Sequence, residues 1–558
     1  MNGAQILLKS LECEEVDTIF GYQGGSAIPI FDALYGSKMR VIIPRHEQAA
    51  AHAADGYARA TGRVGVCFST SGPGATNLTT GIATAYMDSI PMVVFTGQVK
   101  TWLIGNDAFQ EADILGITRS ISKHNYLVKD VKDLAATIKE AFYLARSGRP
   151  GPVVIDLPVD VQTQECEFEY PQDVKLRSYN PTMYGHPGQI RRALKTIYEA
   201  KRPVIMAGGG VILSGASKEL REFAEKMRIP VISTFMGLGV FPTKNELSLG
   251  MPGMHGSAYA NLAITECDLL ISVGCRFDDR VTGKLDEFAP KAKIIHIDID
   301  PTSISKNVNV DVPVVGDAKN ILAQLIQEIK EEKITEKKEW IEKINEWKKQ
   351  YPLKYERKEK KWIKPQYVIE EVCRMADEDA IIATEVGQHQ MWVAQFYSFE
   401  EPRRFLSSGG LGTMGYGFPA SIGAKIACPE KQVILFAGDG SIQMNIQEMA
   451  TLKTYGINVK IIILNNNSLG MVRQWQELFF DKRYSGTPLN NPDFVTIAKG
   501  YGIKGIRVEK TGDVKSAIEK ILKFKGPILA EFLIEPEENV FPMVPAGKAI
   551  NQMIGGMS

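Results

Sequence analysis

The 558-residue chain has no excess of charge of either sign, since 65 lysines and arginines balance 65 aspartates and glutamates. That balance removes the electrostatic basis for a dedicated nucleic-acid or anionic-membrane binder. Cysteine is sparse and unpatterned. Its seven positions, 13, 67, 166, 267, 275, 373 and 428, contain no CxxC pair, which argues against a disulfide framework and a cysteine zinc site. Residues 1–20 carry Glu12, Glu14, Glu15 and Asp17 among their apolar positions, unlike a secretory leader. No uninterrupted apolar run is long enough to span a bilayer. A soluble cytoplasmic protein with neither membrane nor nucleic-acid partner is expected.

The composition, 44% hydrophobic and 23% charged, is that of a globular protein. The length calls for several domains. Short β-branched runs alternate with helical patterns in three sets. They fall at 41–44, 64–70, 91–97 and 152–157; at 203–208, 230–235, 269–274 and 294–300; and at 380–386, 432–437, 459–464 and 527–534. Strand and helix in alternation predict α/β architecture with three consecutive doubly wound parallel-sheet domains. Polar, proline-containing sequence at 165–188 marks one boundary. A lysine- and glutamate-rich stretch at 326–365 marks another. Within it Trp340, Ile344 and Trp347 form one apolar helical stripe, and the basic run at 357–361, interrupted by Glu359, suits a solvated linker. The expected domains are 1–170, 185–345 and 365–558.

The apolar run ending at Ala437 passes into Gly438-Asp439-Gly440-Ser441. The next one ends at Asn465-Asn466. A carboxylate and a carboxamide therefore sit at the C-terminal ends of two strands separated by one helix, the edge where open parallel sheets bind ligands. Hard oxygen donors of this kind suit Mg²⁺, which completes its octahedron with phosphate oxygens. Gly438 and Gly440 would let backbone approach a phosphate, and the helix after Ser441 would aim its N-terminus at it. The pattern resembles that of the thiamine diphosphate enzymes. So does the phrase from Arg45 to Gly65 followed by Ser69 to Asn77. In that family the residue matching Glu47 hydrogen-bonds N1′ of the aminopyrimidine and is catalytic. The resemblance further implies that Gly387, Gln388 and His389, with Gly440 and Ser441, bind the diphosphate. It places Ser468 beside Asp439 and Asn466 as a metal ligand. The carbonyl of Gly412 would accept from the 4′-amino group, and Met414 would hold the cofactor bent.

Across nearly the whole chain the resemblance is closest to the catalytic subunits of acetolactate synthases. It is carried by residues 108–113, 185–189, 253–256, 274–283 and 470–475. The implied reaction decarboxylates pyruvate on thiamine diphosphate and ligates the two-carbon unit to a second 2-oxoacid, pyruvate or 2-oxobutanoate. Arg276 would bind the acceptor carboxylate by a two-point fork. Trp475 and Phe109 would shape the pocket, Gln110 would lie near the reacting carbons, and Gly470 and Met471 would line the cofactor site. The middle domain resembles an FAD-binding domain, with Arg280, Val281, Asp298, Ile299 and Asp317 at flavin-contacting positions. The expected cofactors are thus thiamine diphosphate, Mg²⁺ and FAD. The family's active site lies between two subunits, which implies a homo-oligomer built from dimers, and a separate regulatory small subunit is common.

Four residues depart from the family pattern: Gln23 and Lys100 where prolines are usual, a bulky Trp102, and Val159 where lysine is usual. A positive charge lost at 159 and gained at 100 would alter donor or acceptor preference or inhibitor response. Three competing functions stay open. One is a different thiamine diphosphate decarboxylase or carboligase. The second is an oxidase passing electrons to FAD. The third is a catalytically silent nucleotide binder, against which Glu47, Asp439 and Asn466 stand intact.

Overall fold

The computed structural model describes residues 1–174, 176–356 and 362–555, so the basic run at 357–361 lies outside the described residues. The first sheet contains β1 (Thr18–Gly21), β2 (Arg40–Ile42), β3 (Gly65–Ser69), β4 (Met92–Gln98), β5 (His124–Leu127) and β6 (Pro152–Pro158), in the order β2-β1-β3-β4-β6-β5. The second contains β7 (Pro203–Ala207), β8 (Val231–Ser233), β9 (Leu269–Val273), β10 (Lys293–Asp298) and β11 (Val312–Val315), in the order β11-β10-β9-β7-β8. The third contains β12 (Ile381–Thr384), β13 (Phe405–Leu406), β14 (Val433–Gly438), β15 (Val459–Asn465), β16 (Lys504–Val508) and β17 (Ile528–Leu533), in the order β13-β12-β14-β15-β17-β16. Every neighbouring pair is parallel, as β4 with β6 and β14 with β15. β4, β6, β14 and β15 are buried along their whole lengths, as strands with helices on both faces must be.

The first and third sheets share one strand order, which the sequence did not announce. In each, the chain reverses its winding direction beside the first strand of the sheet. Loops leaving the strands at such a switch point splay apart and open a crevice. In the third domain that crevice lies between the ends of β12 and β14. In the second it lies between β7 and β9, where Gly208 and Gly210 meet Gly274. A Cβ on Gly208 would stand 2.3 Å from the Gly274 carbonyl oxygen.

The twelve runs picked out in the sequence all fall on strands. Of the five strands they miss, β5, β11, β13 and β16 are sheet edges. The presumed single helix between Asp439 and Asn465 is broken. A turn of helix (Asp439–Ile442) passes into a 3₁₀ segment kinked at Asn445 and then a helix, Met449–Tyr455. Asn445 turns its side chain to the Gly415 carbonyl instead, at 2.7 Å. The apolar stripe after 326 belongs to a docked helix, Lys338–Gln350. It buries Trp340 and Ile344 against the second domain, and the indole of Trp340 donates to the Pro203 carbonyl.

First and third domains meet through two helices, Glu47–Thr61 and Gly417–Ala427. Their facing surfaces are alanine and glycine, so the backbones touch. A Cβ on Gly56 would lie 2.1 Å from the Ala420 carbonyl oxygen, and one on Gly423 would lie 1.8 Å from that of Ala53. Pairing of 53 with 423 and of 56 with 420 makes the crossing antiparallel. Beside it Arg59 donates to Asp55, Asp88 and the Ser407 carbonyl, and the Tyr416 hydroxyl donates to Asp55. Gly423→Ala is expected to destabilise the protein by about 1–3 kcal/mol through overpacking against fixed backbone. A lowered denaturant midpoint would show it, with Gly512→Ala as a control because nothing lies within 4 Å of that position. Equal midpoints for the two variants would mean that the helix pair is loosely packed.

Candidate active site

At the switch point of the third sheet, β12 leads through Glu385 to Gly387 and the helix Gln388–Phe396. His389, in the first turn of that helix, fills the space between strand ends. A Cβ on Gly387 would stand 2.9 Å from its ring, and one on Gly438 would stand 2.8 Å from it. Gly387 also has φ 153°, which only glycine adopts readily. Burial pushes the His389 imidazolium down to about 3, so the ring is neutral. Its Nε2 has no hydrogen-bond partner among the described residues, an orphaned donor or acceptor at the cavity wall.

Glu385 was not singled out from the sequence, yet it holds this corner together. Its buried carboxyl accepts from the Gly415 N–H at 2.7 Å, the Phe418 N–H at 2.8 Å and the Ser441 hydroxyl at 2.7 Å. One side chain therefore clasps the loop carrying Gly412 and Met414 to the turn carrying Asp439. Asp439 is buried, and burial raises its carboxyl to about 6. Asn466 lies across from it, its amide donating to Gln388 Oε1 at 3.2 Å and its Oδ1 accepting from the Ser468 N–H at 3.2 Å. The Ser468 hydroxyl is committed to the Thr487 carbonyl. Among the described residues no cluster of three histidine, cysteine or acidic side chains could hold a metal. A cation here would depend on one carboxylate and neutral oxygens, a donor set that fits Mg²⁺.

A cavity of about 1050 Å³ runs from this corner across to the second domain. Its third-domain wall includes Gly387, Gln388, His389, Gly412 and Met414. Gly438, Asp439, Gly440, Ser441, Asn466 and Ser468 continue that wall. Gly470, Met471 and Trp475 line it from the helix Gly470–Phe479, and Trp475 packs on Phe479 at 5.3 Å. The opposite wall holds Arg276, Arg280, Val281, Asp298, Ile299 and Asp317. Arg276 donates to the Met87 carbonyl at 2.8 Å. Asp317 caps the helix Ala318–Glu328, and Asp298 accepts from the Asp300 N–H. Gly209, Gly210 and Gly274 line the same wall, so the glycine cluster at this switch point both packs the strand ends and faces the cavity. The sequence reading missed Arg149, which lines the cavity from the first domain and pairs with Asp300. His296 is buried, its Nε2 2.9 Å from the Cys275 carbonyl.

Three site residues stand apart. Glu47, Gln110 and Phe109 do not line this cavity. Glu47 begins its helix and accepts from the Asn77 amide at 2.9 Å, and Gln110 has φ 61° in an open loop. Phe109 is 88% exposed. The family departures also lie on the first domain. Lys100 Nζ stands 5.2 Å from the Trp102 ring centroid, and Thr101 donates twice to Asp160, next to Val159. Among the described residues no helix is long and apolar enough to cross a membrane.

Two parallel-sheet domains of identical strand order flank a third, and glycine turns converge on one cavity. This arrangement defines the class of thiamine pyrophosphate enzymes. Models of that class match along the chain: the N-terminal TPP binding domain over residues 1–117, the central domain over 190–325 and the C-terminal TPP binding domain over 385–532. The chain is 51% identical to a probable acetolactate synthase large subunit of Methanocaldococcus jannaschii, over 99% of this chain and 95% of that protein. It is 49% identical to the acetolactate synthase large subunit of Haemophilus influenzae, over 99% and 98%. It is 50% identical to that of Corynebacterium glutamicum, over 98% and 89%. The chain belongs to the acetolactate synthase large-subunit family of thiamine pyrophosphate enzymes.

The Glu385 clasp makes stability depend on pH. Burial raises its carboxyl from 4.5 to about 7. Between those values the folded protein keeps a proton that the unfolded chain has released, so this residue's contribution to stability falls as pH rises. Glu385→Gln, neutral throughout, removes that slope. From pH 4.5 to 7.5 the cofactor-free wild type should lose about 3 kcal/mol relative to the variant. Parallel curves of unfolding midpoint against pH would refute the assignment.

Proposed function

We propose that this chain is the catalytic subunit of an acetolactate synthase. It joins the two-carbon fragment of pyruvate to a second 2-oxoacid, giving 2-acetolactate or 2-aceto-2-hydroxybutyrate with release of CO₂. The observation that carries the reading is the single cavity shared by the Asp439–Asn466 corner and the second-domain wall, in a chain about half identical to acetolactate synthase large subunits throughout its length.

Asp439, Asn466 and Ser468 would hold Mg²⁺, and Gly387 to His389 with Gly440 and Ser441 would hold the diphosphate. The neutral imidazole and the bare glycine backbone suit an anion that the Mg²⁺ partly neutralises. Gly470 and Met471 close this side. When bound, thiamine diphosphate supplies the electron sink for decarboxylation. The Gly412 carbonyl would orient the 4′-amino group, and Met414 would pack against the cofactor. Glu47 would hold a proton at N1′. Arg276 would take the acceptor carboxylate. Trp475, Phe109 and Gln110 would exclude water and shape the acceptor site. FAD would lie along Arg280, Val281, Asp298, Ile299 and Asp317.

On this reading Glu47 would come from a second copy of the chain. The antiparallel helix crossing puts Glu47 and the Met414 loop of one chain at opposite ends of a helix pair, roughly 20 Å apart for fifteen residues of helix. The exposure of Phe109 and its absence from the cavity support the same reading. A homodimer is then the minimal unit, with a regulatory small subunit as a further partner.

Purified protein supplied with thiamine diphosphate, Mg²⁺, FAD and pyruvate should yield 2-acetolactate, identified by NMR. Acetaldehyde or acetate as the sole product would replace the synthase reading with a decarboxylase or an oxidase. Glu47→Ala and Asp439→Ala should each abolish turnover. Dissociated and reassembled together in equal amounts, they should regain about a quarter of wild-type activity, because half the dimers carry one intact site. No recovery in mixtures shown to exchange subunits would place Glu47 and Asp439 of one chain in one site. Val159→Lys with Lys100→Pro should shift the pyruvate-to-2-oxobutanoate preference or the inhibitor response. An unchanged profile would remove those residues from the substrate path.

A further inference from the structure

We propose that Asn491 is a positioning residue for the cation site, fixing the Asp439 carboxylate without competing for the cation. This inference rests on the reading of Asp439, Asn466 and Ser468 as that site. Asn491 lies outside every motif described above, 52 residues beyond Asp439. Its Nδ2 donates to Asp439 Oδ2 at 2.7 Å and lies 3.2 Å from both Asn465 Oδ1 and Asn467 Oδ1. One amide thus gathers the carboxylate of the first strand end and the turn that follows the second.

The orientation of this amide is determined from its other end. Asn491 Oδ1 accepts from Gln443 Nε2 at 3.0 Å, and the same nitrogen donates to the Asp439 carbonyl at 2.9 Å. A flipped Asn491 would set an amide nitrogen against a donor and an oxygen against a carboxylate. The chain around it is also fixed. Leu489 N–H donates to the Asn467 carbonyl and Leu469 N–H to the Thr487 carbonyl, both at 2.9 Å. Two residues on, Asp493 caps the helix Phe494–Gly500. Asn491 is therefore held on a short segment laced to the metal-site turn on one side and to a helix on the other.

The choice of amide has a physical reason. No lysine or arginine pairs with Asp439 among the described residues. A cationic partner there would orient the carboxylate and also spend its charge, weakening it as a ligand for a divalent ion. A neutral donor on one oxygen orients the group and leaves the charge available. Outer hydrogen bonds of this kind typically contribute 10–100-fold to metal affinity.

The test uses the full chain loaded with FAD. Binding of thiamine diphosphate is followed by tryptophan fluorescence as Mg²⁺ is titrated, and FAD stoichiometry and thermal midpoint report folding. For Asn491→Ala the half-saturating Mg²⁺ concentration should rise about 10–100-fold, with FAD content unchanged. Gln443→Ala should give a smaller rise. The double variant should fall short of the product of the two, because Gln443 acts in part through Asn491. An Asn491→Ala protein that keeps its FAD and its wild-type Mg²⁺ dependence overturns the inference. If that variant loses FAD or folds poorly, Gln443→Ala carries the test, and an unchanged Mg²⁺ dependence there overturns it equally. Wild-type protein that shows no Mg²⁺-dependent binding would instead sink the cation-site reading itself.

Discussion

The antiparallel contact between the helices Glu47–Thr61 and Gly417–Ala427 is the constraint on which the rest depends. Two helices can approach until their backbones touch only if glycine and alanine face each other along the seam. Here Gly56 and Gly423 each lie against a carbonyl oxygen of the other helix. The contact leaves no freedom to slide or rotate. Each helix also carries a proposed site element at its N-terminus, Glu47 on one and the Gly412–Tyr416 loop on the other. Fixing the seam fixes both elements, and the antiparallel sense keeps them apart. On the proposed reading, chemistry that needs both would be completed by a second chain, and Phe109 of the first domain is exposed.

Charge buried beside that seam makes the arrangement specific rather than merely compact. Arg59 is enclosed by Asp55 and Asp88, and Asp88 also accepts from the N–H groups of Gly409 and Gly410. Thr84 and Thr413 hydroxyls meet at 2.8 Å. Together these bonds run from the first domain into the glycine-rich loop of the third. Removal of one partner would strand a buried charge, a far larger loss than the pair's net contribution. Glu385 then carries the same loop to the Ser441 turn. The position of Met414 is thus set from two sides by buried polar groups.

Much of this was legible in the sequence, for identifiable reasons. Central parallel strands are buried on both faces, so β4, β6, β14 and β15 stood out as continuous apolar runs. Edge strands keep one side in solvent, and β5, with His124 and Asn125, carries no such run. The loops at Gly387, Gly438 and Asn465 were readable because short glycine and asparagine phrases at strand ends have few other uses. Glu385 was present in a quoted phrase, but a lone acid after a strand does not reveal three donors brought from residues 415, 418 and 441. Arg149 and Asn491 had no local signal at all, since each acquires its role only when a distant segment folds against it. The broken helix after Asp439 was also hidden, because Asn445 gives up helical geometry for a bond to Gly415.

The cavity's electrostatics give a further reason for its division of labour. On the third-domain side the His389 ring is neutral, its imidazolium depressed to about 3 by burial, and Asp439, raised to about 6, is a carboxyl that still ionises near neutral pH. On the other wall Arg276 and Arg280 stand among Asp278, Asp279, Asp298 and Asp317 of the second domain, and Arg149 joins them from the first. A strongly cationic third-domain wall would oppose entry of a divalent ion. A strongly anionic one would repel the phosphates. A wall with one ionisable carboxyl among neutral groups would suit an ion and a diphosphate arriving together, the ion offsetting both charges. The acceptor carboxylate has no ion to travel with, so its counter-charge must be built into the protein. On the proposed reading Arg276, on the second-domain wall, would meet that need.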